Sequence, residues 1–298
     1  MHRISKEAII PILIPQKMFH DRFGQINAYI DMNPSMHIDN DGNVKILIRR
    51  IDYQKFHNRQ FILYNHYSNS LYALLCGKLN ENEKLEIDAY TFQEIYYEYD
   101  LPTYNTYWKG PEDIRFIDSN TILATVPECN QNGNPSIFNA TLDQNRFKKF
   151  IPCYPNNVEK NWMPYQDASN NTKVIYSLSP LRIKDVLNSE FYTIPTTEKD
   201  TIALKDYHGS TNGIEYELKR LFLIHVNHEC TKHRWLLLDL NNNSIRLSKE
   251  FVFFNHTYIE FPVSLAKFKN RIFLSIGVND NKAFIIELTM SEINKCFV

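Results

Sequence analysis

Short apolar or alternating runs recur from one end of the chain to the other, at 44–48, 60–64, 70–75, 121–126, 173–178, 221–226, 234–239, 271–276 and 283–288. They are rich in β-branched and aromatic residues. Clusters of Asn, Asp, Gly, Ser and Pro separate them, which is the pattern of strands joined by turns. Amphipathic repeats long enough for a helix of three turns are missing; the nearest are Thr91 to Tyr99 and the tail Ser291 to Cys296. The predicted fold class is therefore all-β. Turn-then-strand units restart near Asn33, Gly110, Asn161, Gly213 and Phe261, and such repetition points to the blades of a propeller. The expected architecture is a five-bladed β-propeller, a single domain over residues 1–298. Eight glycines are few for a propeller, and the units share pattern without sharing sequence, so a pair of β-sandwiches stays open. If the blades close, the run Ala8 to Ile14 completes the last sheet beside Ala283 to Leu288 and covers its edge.

Composition narrows the function classes. With 43% hydrophobic and 22% charged residues, the chain has ample core material and fits a globular protein rather than a disordered one. The net charge is −1 and no run of five like charges occurs, so no overall field draws the protein to nucleic acid or anionic lipid. The five cysteines are scattered without C-x-x-C spacing, which argues against a zinc site and a disulfide framework and implies a reducing, cytoplasmic setting. The apolar run Ala8 to Pro15 is broken by Pro11 and Pro15. It is too short for a signal peptide or a membrane span and reads as an edge strand. N-x-S/T triplets at Asn139, Asn170, Asn242 and Asn255 carry little weight in so asparagine-rich a chain.

The densest group of reactive side chains is Trp108-Lys109-Gly110-Pro111-Glu112-Asp113-Ile114-Arg115, a glycine-proline turn feeding a strand. Strand alternation predicts that Glu112 and Asp113 point apart while Asp113 and Arg115 share a face and pair. The ordinary alternative is a capping aspartate and a surface ion pair. Other polar groups sit where the units begin: Asn33-Pro34-Ser35 with Arg49, Glu159-Lys160-Asn161-Trp162, His208-Gly209-Ser210-Thr211, and Glu260 followed by Gly277-Val278-Asn279-Asp280. Burial of Lys160 beside Trp162 and Pro164 would make it a cation held for an anionic or hydroxyl-rich ligand. An exposed Lys160, a core His225 and a plain hairpin turn at Asp280 are the structural alternatives. Histidines and carboxylates do not fall at metal-binding spacing, and G-x-G-x-x-G, P-loop and G-x-S-x-G motifs are absent, so no metal or cofactor is expected.

The order Asn33-Pro34, Arg49, Gly110-x-Glu112-Asp113-x-Arg115, Lys160-Asn161, His225 and Gly277-x-x-Asp280 resembles the β-mannoside phosphorylases and related hydrolases, a glycoside hydrolase family of five-bladed β-propellers. The related β-1,2-mannosyltransferases share that fold. The most specific pieces are the Glu-Asp-x-Arg loop and the closing stretch from Ile259-Glu260-Phe261 to Ala283. In the family the loop usually reads Glu-Asp-Pro-Arg, so Ile114 stands in place of a proline and frees a backbone donor. The resemblance implies that Asp113 is the general acid and that Arg49, Arg115, Lys160 and Asp280 line the sugar subsite. Asn33, Glu112, Asn161, Trp162 and Glu260 join them as substrate-binding candidates, and His208, His225, His233 and Arg234 are candidates for a phosphate or sugar donor.

The implied partner is a carbohydrate or sugar phosphate. Inversion needs one protein acid to protonate the departing oxygen while phosphate, water or an acceptor hydroxyl attacks the anomeric carbon from the other face. Trp108, Trp162 and Tyr165 could offer flat surfaces to sugar rings, or simply pack between blades. The expected activity is glycosyl transfer or phosphorolysis of a β-linked, mannosidic bond; hydrolysis on the same fold, or a non-catalytic propeller that binds glycans or proteins, is the alternative.

Overall fold

A computed structural model describes residues 2–55, 60–80, 82, 84–154, 157–167, 169–254 and 257–297; Asn255 lies outside the described residues. Every apolar run named above is found wholly or in part in a strand, and the protein is all-β with two short α-helices and one 3-10 turn, Pro127–Cys129, among the described residues. The central strands are buried on both faces, which explains why they read as continuous apolar runs rather than as a clean alternation. Along Lys219–Asn227, Leu221 and Leu223 enter one core while Phe222 and Ile224 enter another.

The same division repeats along the chain and links sheet to sheet. Strand Asn43–Ile51 sends Leu47 to a core shared with Ile122 and Ala124 of Thr121–Thr125. Leu123 of that second strand meets Val174 of Thr172–Leu178, whose Ile175 joins the core of Phe222 and Ile224. Leu221 and Leu223 share theirs with Ile272, Leu274 and Ile276 of Arg271–Val278. Phe273 then returns to Ile46 and Ile48, on the strand where the circuit began.

Within each unit the strands form antiparallel ladders. Ile30–Ile38 pairs with Asn43–Ile51, then Ser68–Leu79 and Leu85–Tyr97; Glu112–Phe116 leads a second ladder and Met163–Gln166 a third. The last is led by Glu260–Phe268 and finished by Ala8–Pro11, which pairs antiparallel with Lys282–Thr289 from Ala8 opposite Glu287 to Pro11 opposite Phe284. The leading strands Ile30–Ile38, Glu112–Phe116 and Glu260–Phe268 lie against one another, so their loops converge.

Among the described residues no helix reaches three turns, as the sequence implied. Thr91 to Tyr99, the nearest thing to a helix in the sequence, falls largely in strand Leu85–Tyr97, because Gln93, Glu94 and Ile95 pair with Ser68–Leu79 and Ile95 is buried between sheets. A two-turn helix, Glu198–Leu204, is started by Thr197, whose side chain accepts from Asp200 N; the C-terminal helix Met290–Lys295 opens on a Thr289/Glu292 capping box. The cysteines are all free, and among the described residues no helix is long and apolar enough to cross a membrane.

Ile4 and Ile12 are both buried, one in each of the two cores that flank Arg271–Val278. Deleting residues 1–14 removes both and bares the Lys282–Thr289 edge. At about 1.5–3 kcal/mol per buried aliphatic side chain, the loss should exceed 3 kcal/mol, read as a lowered urea midpoint; an unchanged midpoint would show that the strand adds nothing.

Candidate functional site

The Glu-Asp-x-Arg loop departs from strand alternation. The ladder between Glu112–Phe116 and Thr121–Thr125 shifts register between Glu112 and Arg115, and Asp113 has a left-handed φ of 45°. This bulge turns both carboxylates towards one cation. Arg49 Nη1 donates to Asp113 Oδ1 at 3.2 Å, Nη2 donates to Glu112 Oε1, and Nε donates to Ser70 Oγ at 2.8 Å. The expected Asp113–Arg115 side-chain pair does not form. Arg115 Nη1 instead donates to the Asp113 carbonyl at 3.0 Å and Nε to the Ser210 carbonyl, so Arg115 braces the loop from below. Ile114 uses the backbone donor a proline would lack, giving its N–H to Tyr72 Oη at 3.4 Å.

Arg49 is 4% exposed. Burial works against its charge, but Glu112, Tyr53 and Asp113 outweigh that and hold it well above its usual value. Burial pushes the Glu112 carboxyl up against the pull of Arg49, and the Asp113 charge adds to the push. A second bulge on the neighbouring leading strand places Asn33, φ 43°, so that Nδ2 donates to Asp113 Oδ1 at 3.3 Å. Gly277 makes room for it: a Cβ there would lie 2.1 Å from Asn33 Oδ1.

Asn33, Arg49 and Asp113 open onto a cavity of about 700 Å³ that also meets Lys160, Asn161, His208, His225, Glu260 and Asp280. Residues separated by more than half the chain thus share one hollow. Lys160 is exposed rather than buried against Trp162. His225 is 2% exposed; its Nδ1 lies 2.6 Å from Ser210 Oγ. Burial, and then the neighbouring His233, His208, Arg115 and Lys160, pull it well below the usual imidazole value, so it is neutral at pH 7. Glu260 reaches the cavity wall, but its carboxylate accepts from Phe253 N, Phe254 N and Thr257 Oγ1 and meets His233 Nε2 at 3.0 Å. Burial alone would raise it; His233 and these donors hold it low, as a fixed structural anion.

Five candidates do not line the cavity. Glu112 and Arg115 stand behind Asp113. Trp162 is 1% exposed and donates Nε1 to Glu159 at 2.9 Å. His233 is the buried partner of Glu260, and Arg234 is engaged with Tyr207, Ser248 O and Glu250. Tyr165 also packs in a core, and Trp108 packs edge-on to Tyr53 and Phe61. Sequence reasoning missed Tyr53, Phe61, Tyr258 and Glu229 at the wall. Phe61, in strand Phe61–Leu63, and Tyr258, in a loop, are large aromatics 48% and 55% exposed, and their aromatic character is the one signal that could have found them. A separate cavity of about 230 Å³ beside Lys17, Arg50 and Glu94 contains neither Asp113 nor the histidines. Among the described residues no group of His, Cys, Asp and Glu could hold a metal ion.

No family model matches the sequence, and no curated protein matches it. Solved structures do match its fold. The β-1,2-mannobiose phosphorylase of Listeria innocua, shown with β-1,2-mannobiose, superposes with a TM-score of 0.59 at 13% identity, covering 91% of this chain and 92% of its own. A glycosyl hydrolase from Bacteroides ovatus gives 0.59 at 13% identity, over 97% and 94%. A structure described with the family of mannoside phosphorylases that contains glycoside hydrolases targeting β-1,2-mannosidic linkages in Candida mannan gives 0.61 at 11% identity, over 96% and 95%. The chain has the fold of these carbohydrate-active enzymes along nearly its whole length.

Two outcomes follow from the geometry. Gly277→Ala drives a methyl group into Asn33 and should cost about 1–3 kcal/mol, as overpacking does, read by urea denaturation; a neutral substitution would mean that Asn33 is not held there. His225 binds a proton less readily folded than unfolded, so stability is whole above the unfolded value of 6.5 and falls as pH drops below it. One such group contributes a slope of about 1.4 kcal/mol per pH unit. His225→Gln should flatten the thermal-stability curve between pH 6.5 and 5, and an unchanged slope would place the sensitivity elsewhere.

Proposed function

We propose that the protein is an inverting carbohydrate-active enzyme on a five-bladed β-propeller formed by the whole chain, acting on a β-glycosidic and specifically mannosidic bond as a glycosyltransferase or phosphorylase, with Asp113 as general acid. The circuit of five cores supports the blade count, since a pair of sandwiches would not return Phe273 to the core of Ile46 and Ile48. The observation that carries the activity is the meeting of Asp113 with Arg49, Asn33 and Asp280 in the same hollow as Lys160, His208 and His225. The structural likeness to phosphorylases and hydrolases of β-1,2-mannosides names the first substrates to try.

In this reading the sugar's anomeric carbon sits over Asp113. The Asp113 carboxyl gives its proton to the departing oxygen, directly or through a sugar hydroxyl, as the C–O bond breaks. An oxygen of the acceptor forms the new bond from the opposite face. A phosphate anion needs no protein base, and Lys160 with the N–H of a neutral His225 supplies donors for it. Arg49 keeps its charge throughout and holds the acid in place. Hydrolysis is the second reading, and Glu229, whose residue lines the same hollow, is the carboxylate available to activate water.

The test incubates the protein with β-1,2-mannobiose with and without phosphate, and with mannose 1-phosphate plus mannose in the reverse direction, following released phosphate and new saccharide. Turnover that requires phosphate supports phosphorolysis, and phosphate-independent release supports hydrolysis. Asp113→Asn should cut turnover by about 100-fold or more at an unchanged melting temperature. Full activity in that variant would remove Asp113 from the mechanism.

A further inference from the structure

The Arg49 guanidinium is shared. Of its three nitrogens, one is fixed by Ser70, one faces Asp113 at 3.2 Å and one is taken by Glu112. An arginine given wholly to an aspartate would keep that aspartate ionised, the wrong state for an acid. Glu112 stands outside the cavity lining, so it is poorly placed to touch substrate. We propose that Glu112 is a positioning residue: it occupies Arg49 from behind and leaves Asp113 able to hold the proton it delivers. This rests on the reading of Asp113 as general acid.

Among the described residues, Glu112 and Asp113 are the carboxylates paired with Arg49. The charged or titratable groups around the pair are Arg49, Tyr53 and Tyr72 on the neighbouring strands, Arg115 on its own strand, and Asp280. Burial pushes the Tyr53 and Tyr72 hydroxyls up, so they stay neutral. Arg115 donates Nη1 and Nε to the carbonyl oxygens of Asp113 and Ser210 rather than to the Asp113 carboxylate, and its Nη2 has no hydrogen-bond partner among the described residues. Removing the Glu112 charge therefore has two effects of one sign. It takes a negative neighbour from Asp113, and it frees Arg49 to act on Asp113 alone.

The experiment is the pH profile of kcat/KM in Glu112→Gln and Glu112→Asp. In the glutamine variant the alkaline limb should move down by about one pH unit or more, the size of effect an arginine has on a carboxylate, while the acidic plateau is retained. Glu112→Asp keeps the charge and should bring the limb back towards the wild-type position. A uniform loss at every pH with an unmoved limb would overturn the proposal and make Glu112 a structural or substrate-contacting residue. Carbon-13 carboxyl NMR of aspartate-labelled protein, with the Asp113 signal assigned from Asp113→Asn, gives the same reading without turnover. If the Asp113 resonance titrates lower in Glu112→Gln but the protein turns over no saccharide, the coupling stands and the enzymatic reading falls; if the resonance does not move, the coupling itself is wrong.

Discussion

The site depends on one buried cation. Arg49 sits on a strand whose aliphatic side chains, Val44, Ile46, Leu47, Ile48 and Ile51, enter apolar cores, and a guanidinium taken that far from water is tolerated only when its donors are filled. Glu112, Asp113 and Ser70 fill them from two other strands. Replacing Arg49 by an apolar residue would leave two carboxylates facing each other without a counter-charge, and breaking a buried pair in this way costs about 3–5 kcal/mol. The arginine therefore ties the first two ladders together and fixes the acid in the same act. Asn33 adds a third tether from the leading strand beside it.

Backbone geometry does the rest of the positioning. Asn33, Asp113, Asn161, Asn279 and Asp280 all have φ between 43° and 61°, the left-handed region that asparagine and aspartate enter more readily than other residues with a Cβ. Asn33 and Asp113 lie in bulges at equivalent points of adjoining strands. Asn279, in the turn, accepts from Tyr258 N and Ile259 N and so anchors the loop that carries the aromatic Tyr258 to the cavity mouth. Such conformations cost energy locally and persist only where the surroundings over-determine them. Here the surroundings are ladders packed on both faces, which give a loop little room to relax.

The fold was largely legible because the apolar runs are long, β-branched and continuous, and continuous burial is what a stack of sheets demands. Thr91 to Tyr99 does not make a convincing helix: the spacing of Phe92, Ile95 and Tyr96 suits one, but pairing with Ser68–Leu79 overrides local preference. The site was legible only in part. Asn33, Arg49, Asp113, Lys160, Asn161, His208, His225 and Asp280 were named from sequence and do share a hollow. Which way they point was not readable, since alternation fails wherever a bulge intervenes. Trp162 and His233 were candidates on chemistry alone; in the structure each serves a neighbouring carboxylate, Glu159 and Glu260, a role that sequence spacing cannot distinguish from ligand binding.

Those two carboxylates show how the protein separates structural anions from a reactive one. Glu260 is surrounded by donors from the protein itself, including two backbone N–H groups, and Glu159 is closed by Trp162 and Tyr176. Each is bound on several sides and has little freedom left for a ligand. Asp113 differs in kind, for both its side-chain contacts, Arg49 at 3.2 Å and Asn33 at 3.3 Å, fall on a single oxygen, Oδ1. Its side chain is 26% exposed where that of Glu260 is 1% exposed. An acid that must give up a proton to a substrate needs one face held and one face open, and among the carboxylates that line the hollow Asp113 combines a fixed Oδ1 with that exposure. Rigidity supplied from behind and access left in front are therefore the same design, achieved by spending the buried arginine on the side of the residue that substrate never meets.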